Sequence, residues 1–300
     1  MGKASRLKQQ SAREKIAAQR EAERRAERRR QLMITGTSVI GVLAIVAVFV
    51  IIKVTAGGTA SSGAQQGAQL SAVTQQLTNV PASTMDQVGQ GTVGSGQYPN
   101  PMIKITGSPL TSGGKPEVLY MGAEYCPYCA TERWSMVVAL SKFGTFSNLH
   151  YIHSSPSDVP ASIPTLTFYK SSYTSKYVVF SPVEMQKIDR SPLQNPSAAQ
   201  NTVLNKYDAP PYVQASSKGA IPFMDFGGKW MISGASYNYQ VLQGKTWQQV
   251  ATALHDPSSA IAQGALGTAN YFTAAICNLT NNQPASACSS SAVKSLQGKI

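Results

Sequence analysis

The chain has 300 residues with a formal net charge of +12, longer than an average single domain and with ample length for a core, which excludes disorder throughout. The charge is concentrated at one end: residues 1–30 hold 11 Lys/Arg and 4 Asp/Glu, whereas residues 54–300 hold 14 and 10. No basic groove for nucleic acid is therefore required in the larger part. Charged residues make up only 13% of the chain, and Ser, Thr, Gln, Asn and Gly crowd its C-terminal three quarters, a composition that points to an extracytoplasmic domain.

Residues 1–33 form the basic segment, with Glu and Arg interleaved and almost no large apolar residue, as expected of a solvated helix near an anionic membrane surface. Ile34 to Ile52 is a run of 19 residues without a charge, about 30 Å at helical rise and so a match to the hydrocarbon core. Arg24, Arg25, Arg28, Arg29 and Arg30 precede it and only Lys53 follows directly. The positive-inside rule then keeps the N-terminus in the cytoplasm and sends everything from Val54 onward outward. A retained single-pass signal anchor in the cell membrane is expected. The competing reading is a signal peptide cleaved after Val54-Thr55-Ala56.

Residues 53–97 read as a flexible extracytoplasmic linker, because Ala56 to Gln76 is Gly, Ala, Ser, Thr and Gln with no evident apolar period. The folded domain is expected over 98–290, with short strand-like runs alternating with amphipathic segments in an α/β pattern, and 291–300 as a tail.

Within the domain, Val118–Met121 is an apolar strand broken by Gly122, and Ala130–Lys142 carries Trp134, Val137, Val138 and Ser141 at helical spacing. Cys126-Pro127-Tyr128-Cys129 thus falls at a strand-to-helix junction. Free N–H groups and the positive end of the helix dipole stabilise a thiolate there. Cys126 is expected to attack and Cys129, one turn into the helix, to resolve the mixed disulfide. Pro127 suits the first helical position. Tyr125 and Tyr128 are candidates to line a substrate groove, and Glu124 is the nearby carboxylate and candidate proton acceptor.

His150 and His153 follow after a gap of 20 residues, so a C-x2-C/H-x2-H zinc site is an alternative. In a strand, however, positions i and i+3 face opposite sides, and no metal is expected. Asn148 to Phe180 looks strand-rich and Ser191 to Tyr207 helical. Phe223–Phe226 and Lys229–Ile232 are strands around a Gly-Gly turn, followed by helices at Thr246–Leu254 and Ser259–Ile276. Cys277 and Cys288 are expected to form a structural disulfide on the oxidising side of the membrane, worth roughly 2–3 kcal/mol for so short a loop. A redox relay to the first pair is the alternative role.

Ala123-Glu124-Tyr125-Cys126-Pro127-Tyr128-Cys129 after an apolar strand resembles the active site of the thioredoxin superfamily. The resemblance implies a cis-proline loop facing the dithiol, and Gly219-Ala220-Ile221-Pro222-Phe223 is similar to it, with Ile221 and Pro222 presenting backbone to a substrate cysteine peptide. Pro164, also followed by a strand, is the rival. With Pro222, 92 residues separate it from Cys129, which implies an insertion between the CxxC helix and the cis-Pro strand, as in thiol oxidoreductases of the DsbA type. The expected fold is therefore α/β and thioredoxin-like with that insertion, behind one N-terminal transmembrane helix.

The same constellation, with the C-terminal cysteine pair and the anchor, resembles a family catalogued as domain of unknown function 929. Many thioredoxins carry a buried acid six residues before the first cysteine, where this chain has Tyr120.

Together these features give an expectation of a membrane-anchored thiol–disulfide oxidoreductase acting on cysteines of exported proteins. It needs no organic cofactor and is recharged by a redox partner protein. A non-catalytic thioredoxin-like binding module, with both cysteine pairs as permanent disulfides, is the alternative.

Overall fold

The computed structural model describes residues 62–94 and 102–300. The basic segment, the apolar run Ile34–Ile52 and the first residues of the expected linker lie outside the described residues. In chain order the helices are α1 (Ser62–Thr78), α2 (Ala82–Val88), α3 (Pro127–Leu140), α4 (Ala198–Tyr207), α5 (Trp247–Ala253), α6 (Ala260–Leu279), α7 (Ala285–Cys288) and α8 (Ser291–Gln297). The strands are β1 (Ile103–Lys104), β2 (Thr111–Ser112), β3 (Lys115–Gly122), β4 (Thr145–Ser147), β5 (His150–His153), β6 (Pro164–Thr167), β7 (Ser172–Thr174), β8 (Val179–Glu184), β9 (Phe223–Phe226) and β10 (Trp230–Ser233). No described helix is long and apolar enough to cross a membrane.

β3 is the axis of a mixed sheet in the order β1-β10-β9-β3, with β8 on its other side and the short β2 against its start. β8 pairs with it in parallel, bringing Tyr120 opposite Pro182 and Gly122 opposite Glu184. β9 pairs antiparallel, Tyr120 opposite Met224 and Val118 opposite Phe226. The chain reaches β8 from β3 through α3 and two small hairpin-like sheets, β4 with β7 and β5 with β6, the long crossover that a parallel pair requires.

Both faces of the sheet are covered, which is why Val118-Leu119-Tyr120-Met121 is apolar without alternation. Val118, Tyr120, Met224 and Phe226 enter one core with the side chains of α3 and α6. Leu119, Met121, Phe223 and Met231 enter the other with Val183 and Tyr207, and Val203 and Leu204 of α4 pack against it. The mixed α/β architecture agrees with the sequence reading.

α3 is buried on every side from Cys129 to Leu140, rather than carrying the single apolar face read from its sequence. α6 is buried along nearly its whole length, and its small residues allow close approach: a Cβ at Gly267 would come within 2.3 Å of the Gln90 carbonyl oxygen. Asn270, in the middle of α6, donates to the carbonyls of Met85 at 2.9 Å and Gly89 at 2.7 Å, tying the C-terminal end of α2 to it.

Two expected boundaries need correction. The stretch read as a linker holds α1 and α2, and Val73, Leu77, Val80, Met85, Val88 and Val93 are buried in the main core. The apolar residues are sparse, but Val73 and Leu77 share a helical face at i, i+4, and the surrounding Gln and Ala tolerate helix well. The stretch read as a tail from residue 291 is α8, whose Ala292, Val293 and Leu296 are buried.

Candidate active site: a dithiol at a helix start

β3 ends at Gly122, and a tight turn, closed by Cys126 N–H donating to the Ala123 carbonyl at 3.2 Å, delivers the chain to α3. Cys126 is the N-cap in extended geometry and Pro127 the first helical residue. The sulfur takes the place that a Ser or Asp oxygen occupies in an ordinary cap: Sγ of Cys126 accepts from the N–H of Cys129 at 3.3 Å. Both cysteines are free thiols and both are buried, Cys126 at 4% exposure and Cys129 at 0%.

Their surroundings separate them. Cys126 is lowered below an ordinary thiol, first by the hydrogen bond from the Cys129 side chain, then by the Cys129 N–H and the Arg133 guanidinium, against the opposing effect of burial. Cys129 is pushed well up by burial and by the sulfur of Cys126. The geometry favours a thiolate on Cys126 beside a protonated Cys129.

Facing the pair is the loop before β9. The Ile221–Pro222 peptide is cis, and Sγ of Cys126 lies 3.7 Å from the Ile221 carbonyl oxygen, to which it donates only when protonated as the thiol. The rival Pro164 is absent from the cis peptides of the described residues, which are Val159–Pro160, Pro210–Pro211, Ile221–Pro222 and Gln283–Pro284. It opens β6, and its carbonyl accepts from the indole of Trp134 at 2.9 Å, bracing α3 from the side.

Tyr128 is 40% exposed at the rim of the site, its ring edge-on to Tyr239 with centroids 5.4 Å apart. Tyr125 lies under the Arg190 guanidinium at 3.9 Å from its ring centroid, and Arg190 is ion-paired with Asp158. Glu124 is directed elsewhere. Burial raises it, its side chain bonds to Thr167, and it lines a cleft of about 470 Å³ with Ser155, Pro156, Ser157, Lys187, Ile188 and Asp189. No hydrogen bond joins it to either thiol; those of Cys126 go to Ile221 and Cys129.

Behind the dithiol is a group that sequence reading missed. Arg133 and Glu184 are both fully buried and form a two-pronged ion pair, Nε to Oε1 at 2.8 Å and Nη2 to Oε2 at 2.7 Å. Tyr120 sits beside it, with the Arg133 guanidinium 5.9 Å from its ring centroid and its hydroxyl buried without a partner. The available signal was an arginine four residues after Cys129, one helical turn on along the same helix. Glu184, at the end of a strand, carried none.

The zinc alternative is not assembled. His153 lies against the Trp247 ring at 4.6 Å and His150 pairs with Thr167 across the β5–β6 hairpin. Among the described residues no three His, Cys, Asp or Glu side chains are gathered to hold a metal ion. Cys277 and Cys288 are disulfide-bonded, joining the end of α6 to α7, and both are buried.

No curated protein and no solved structure matches this chain. A family model, described as Domain of unknown function (DUF929), matches residues 101–278, a span from just before β1 to near the end of α6 that includes the dithiol, the Arg133–Glu184 pair and the Ile221–Pro222 loop. With more than half of its length covered, the chain belongs to the DUF929 family.

Proposed function

We propose that this protein is a membrane-anchored, extracytoplasmic thiol–disulfide oxidoreductase with a thioredoxin-like core, acting on the cysteines of exported proteins. The observation that carries the reading is the pairing of an acidified, N-capping Cys126 with a protonated Cys129 at a helix start, opposite the Ile221 carbonyl. The sheet order supports it: a parallel β3–β8 pair around α3, then an antiparallel β9–β10 hairpin on the other side of β3 and the helices after it, with the β4–β7 and β5–β6 sheets and α4 as the insertion. The apolar run Ile34–Ile52 and its basic flank support the anchor.

In the reducing direction, the Cys126 thiolate attacks a substrate disulfide. That S–S bond breaks, one substrate thiolate leaves and takes up a proton, and a mixed disulfide remains. Cys129 loses its proton and attacks Cys126, the mixed disulfide breaks, and the second substrate thiol departs. Two electrons and the Cys129 proton have passed to the substrate, the second proton comes from solvent, and Cys126–Cys129 is now the disulfide. The oxidising direction is the reverse. A redox partner protein restores the starting state, and the two sulfurs carry the electrons without an organic cofactor.

The test is trapping. Full-length protein in detergent carrying Cys129→Ala, mixed with a disulfide-bonded model protein, should accumulate a reductant-sensitive mixed disulfide on Cys126. Absence of any adduct in that variant, at a pH where Cys126 is alkylated readily, would overturn the reading.

A further inference from the structure

Resting on the thiol–disulfide reading above, we infer that Arg133 is a positioning residue of the dithiol: it sets a fixed positive charge behind the two sulfurs and biases exchange toward the reduced pair. Arg133 is one helical turn beyond Cys129, on the same face of α3, and is completely buried. Its Nη2 also donates to the carbonyl of Ala123 at 2.7 Å, the residue that opens the turn into Cys126, so the guanidinium is bonded to the loop that carries the nucleophile.

The counter-charge is in direct contact with the guanidinium through both carboxylate oxygens and is itself fixed by further bonds. Oε1 of Glu184 also accepts from the Phe168 N–H at 3.3 Å, just after β6, and the Glu184 N–H donates to the Gln194 side chain at 2.8 Å, in the loop after β8, so the carboxylate and its backbone are each held. Nη1 of Arg133 is buried and makes no hydrogen bond, which leaves one amino group of the guanidinium without an acceptor. Two further ionisable groups feel the pair: Tyr120, whose hydroxyl burial keeps neutral, and Glu124, raised first by burial, then lowered by its Thr167 bond and by Arg133 and raised by Glu184.

Arg133 lowers both thiols, and for Cys129 its effect outweighs the opposing one of Glu184. Packing alone does not account for the pair, because well-fitted apolar residues commonly replace a buried ion pair without loss of stability. In exchange with glutathione disulfide, the pair gives up two electrons and the Cys129 proton, a second proton comes from solvent, the Cys126–Cys129 bond forms, the glutathione S–S bond breaks and two glutathione thiols are released. A charge that stabilises the thiolate on the reduced side opposes that direction, making the disulfide form the more oxidising.

The experiment uses full-length protein in detergent with three variants: Arg133→Met combined with Glu184→Met, Arg133→Lys, and Glu184→Gln. Two quantities are read, the pH midpoint of Cys126 alkylation by iodoacetamide and the equilibrium constant against glutathione. In the double variant the midpoint should rise by about one pH unit and the equilibrium should move at least about threefold toward the protein disulfide. Arg133→Lys should stay near the parent, and Glu184→Gln should move the midpoint down.

A double variant with parental circular dichroism and both quantities within twofold of the parent overturns the inference. If that variant does not fold, an unchanged or raised midpoint in Glu184→Gln overturns it instead. Failure of the parent to equilibrate with glutathione defeats the thiol–disulfide reading, while the alkylation midpoints still decide the role of Arg133.

Discussion

The backbone N–H of Cys129 points at the sulfur of Cys126 from 3.3 Å, so the second cysteine of the motif caps the charge of the first. The relationship divides the labour between two residues of one type: the amide and dipole of the helix start stabilise negative charge on Cys126, while Cys129, a turn deeper and fully buried, holds its proton.

This division predicts a selective alkylation profile. With the Cys126 thiol lowered and the Cys129 thiol raised, iodoacetamide below the usual thiol range should label Cys126 alone, with Cys129 unmodified until strongly alkaline pH or unfolding. Peptide mass mapping of the reduced full-length protein checks this. Equal labelling of both cysteines at pH 7 contradicts the assignment of roles.

Substitution of the nucleophile should separate chemistry from fold. Cys126→Ser is expected to abolish disulfide exchange, with a loss of at least about a hundredfold, and to leave the melting transition in place, because the hydroxyl still caps the helix. Parental turnover in this variant would sink the nucleophile assignment.

Glu132 makes stability depend on pH. It is fully buried on α3, accepts from the Ser236 N–H, and burial pushes its carboxyl up to about 8; in the unfolded chain it titrates near about 4.3. A group raised in the folded state stabilises fully below the unfolded value, and that contribution is lost as pH climbs from about 4.3 toward about 8. Asp225, raised by burial to about 6, adds a loss of the same sign over a narrower range. Glu132→Gln removes only the first. It should melt as the parent does at pH 4.5 and higher than the parent by roughly 3 °C or more at pH 8.5. A variant that gains nothing at pH 8.5 contradicts a buried, ionising Glu132.

The C-terminal disulfide should act on stability alone. Replacing Cys277 and Cys288 together with Ser is expected to cost about 2–3 kcal/mol and to leave the Cys126 alkylation profile unchanged. A collapse of exchange activity with an unchanged melting point would favour the relay instead.

The helices before the sheet belong to the folded unit. Leu77 is completely buried, so Leu77→Ala should destabilise by about 2–4 kcal/mol, measured by denaturant titration of the full-length protein. An effect below about 0.5 kcal/mol, the range of an exposed position, would mean that α1 does not pack on the core.

Legibility tracked how local each signal is. The strand Val118–Met121, the cap at Cys126 and the hairpin around Gly227–Gly228 were readable because apolar runs, Pro and Gly act over a few residues. The Cys277–Cys288 pairing was readable from its short loop. Pro222 over Pro164 was legible only through the helix that follows the strands downstream of Pro222; the strands after Pro164 lead to no clear terminal helix in the sequence. The α1 and α2 helices were obscured because Leu77 and Val73 are isolated among Gln, Ala and Thr, and what the helices meet is distant in sequence: Thr74 bonds Tyr151, Gln76 bonds Gln248 and His255, and Asn270 of α6 bonds Met85 and Gly89. The Arg133–Glu184 pair was illegible for the same reason: 51 positions separate its members, and only the parallel register of β3 and β8, which brings Glu184 opposite Gly122, places the carboxylate behind the dithiol. Glu124 is the converse case, near Cys126 in sequence yet turned into a neighbouring cleft.

The most direct test of the central claim is a redox titration of the full-length protein in detergent against glutathione, with free thiols at Cys126 and Cys129 counted at each potential. The account predicts a single reversible two-electron transition confined to that pair, with Cys277 and Cys288 remaining oxidised throughout. A Cys126–Cys129 pair that stays locked as a disulfide, or stays reduced, across the whole glutathione range would contradict it.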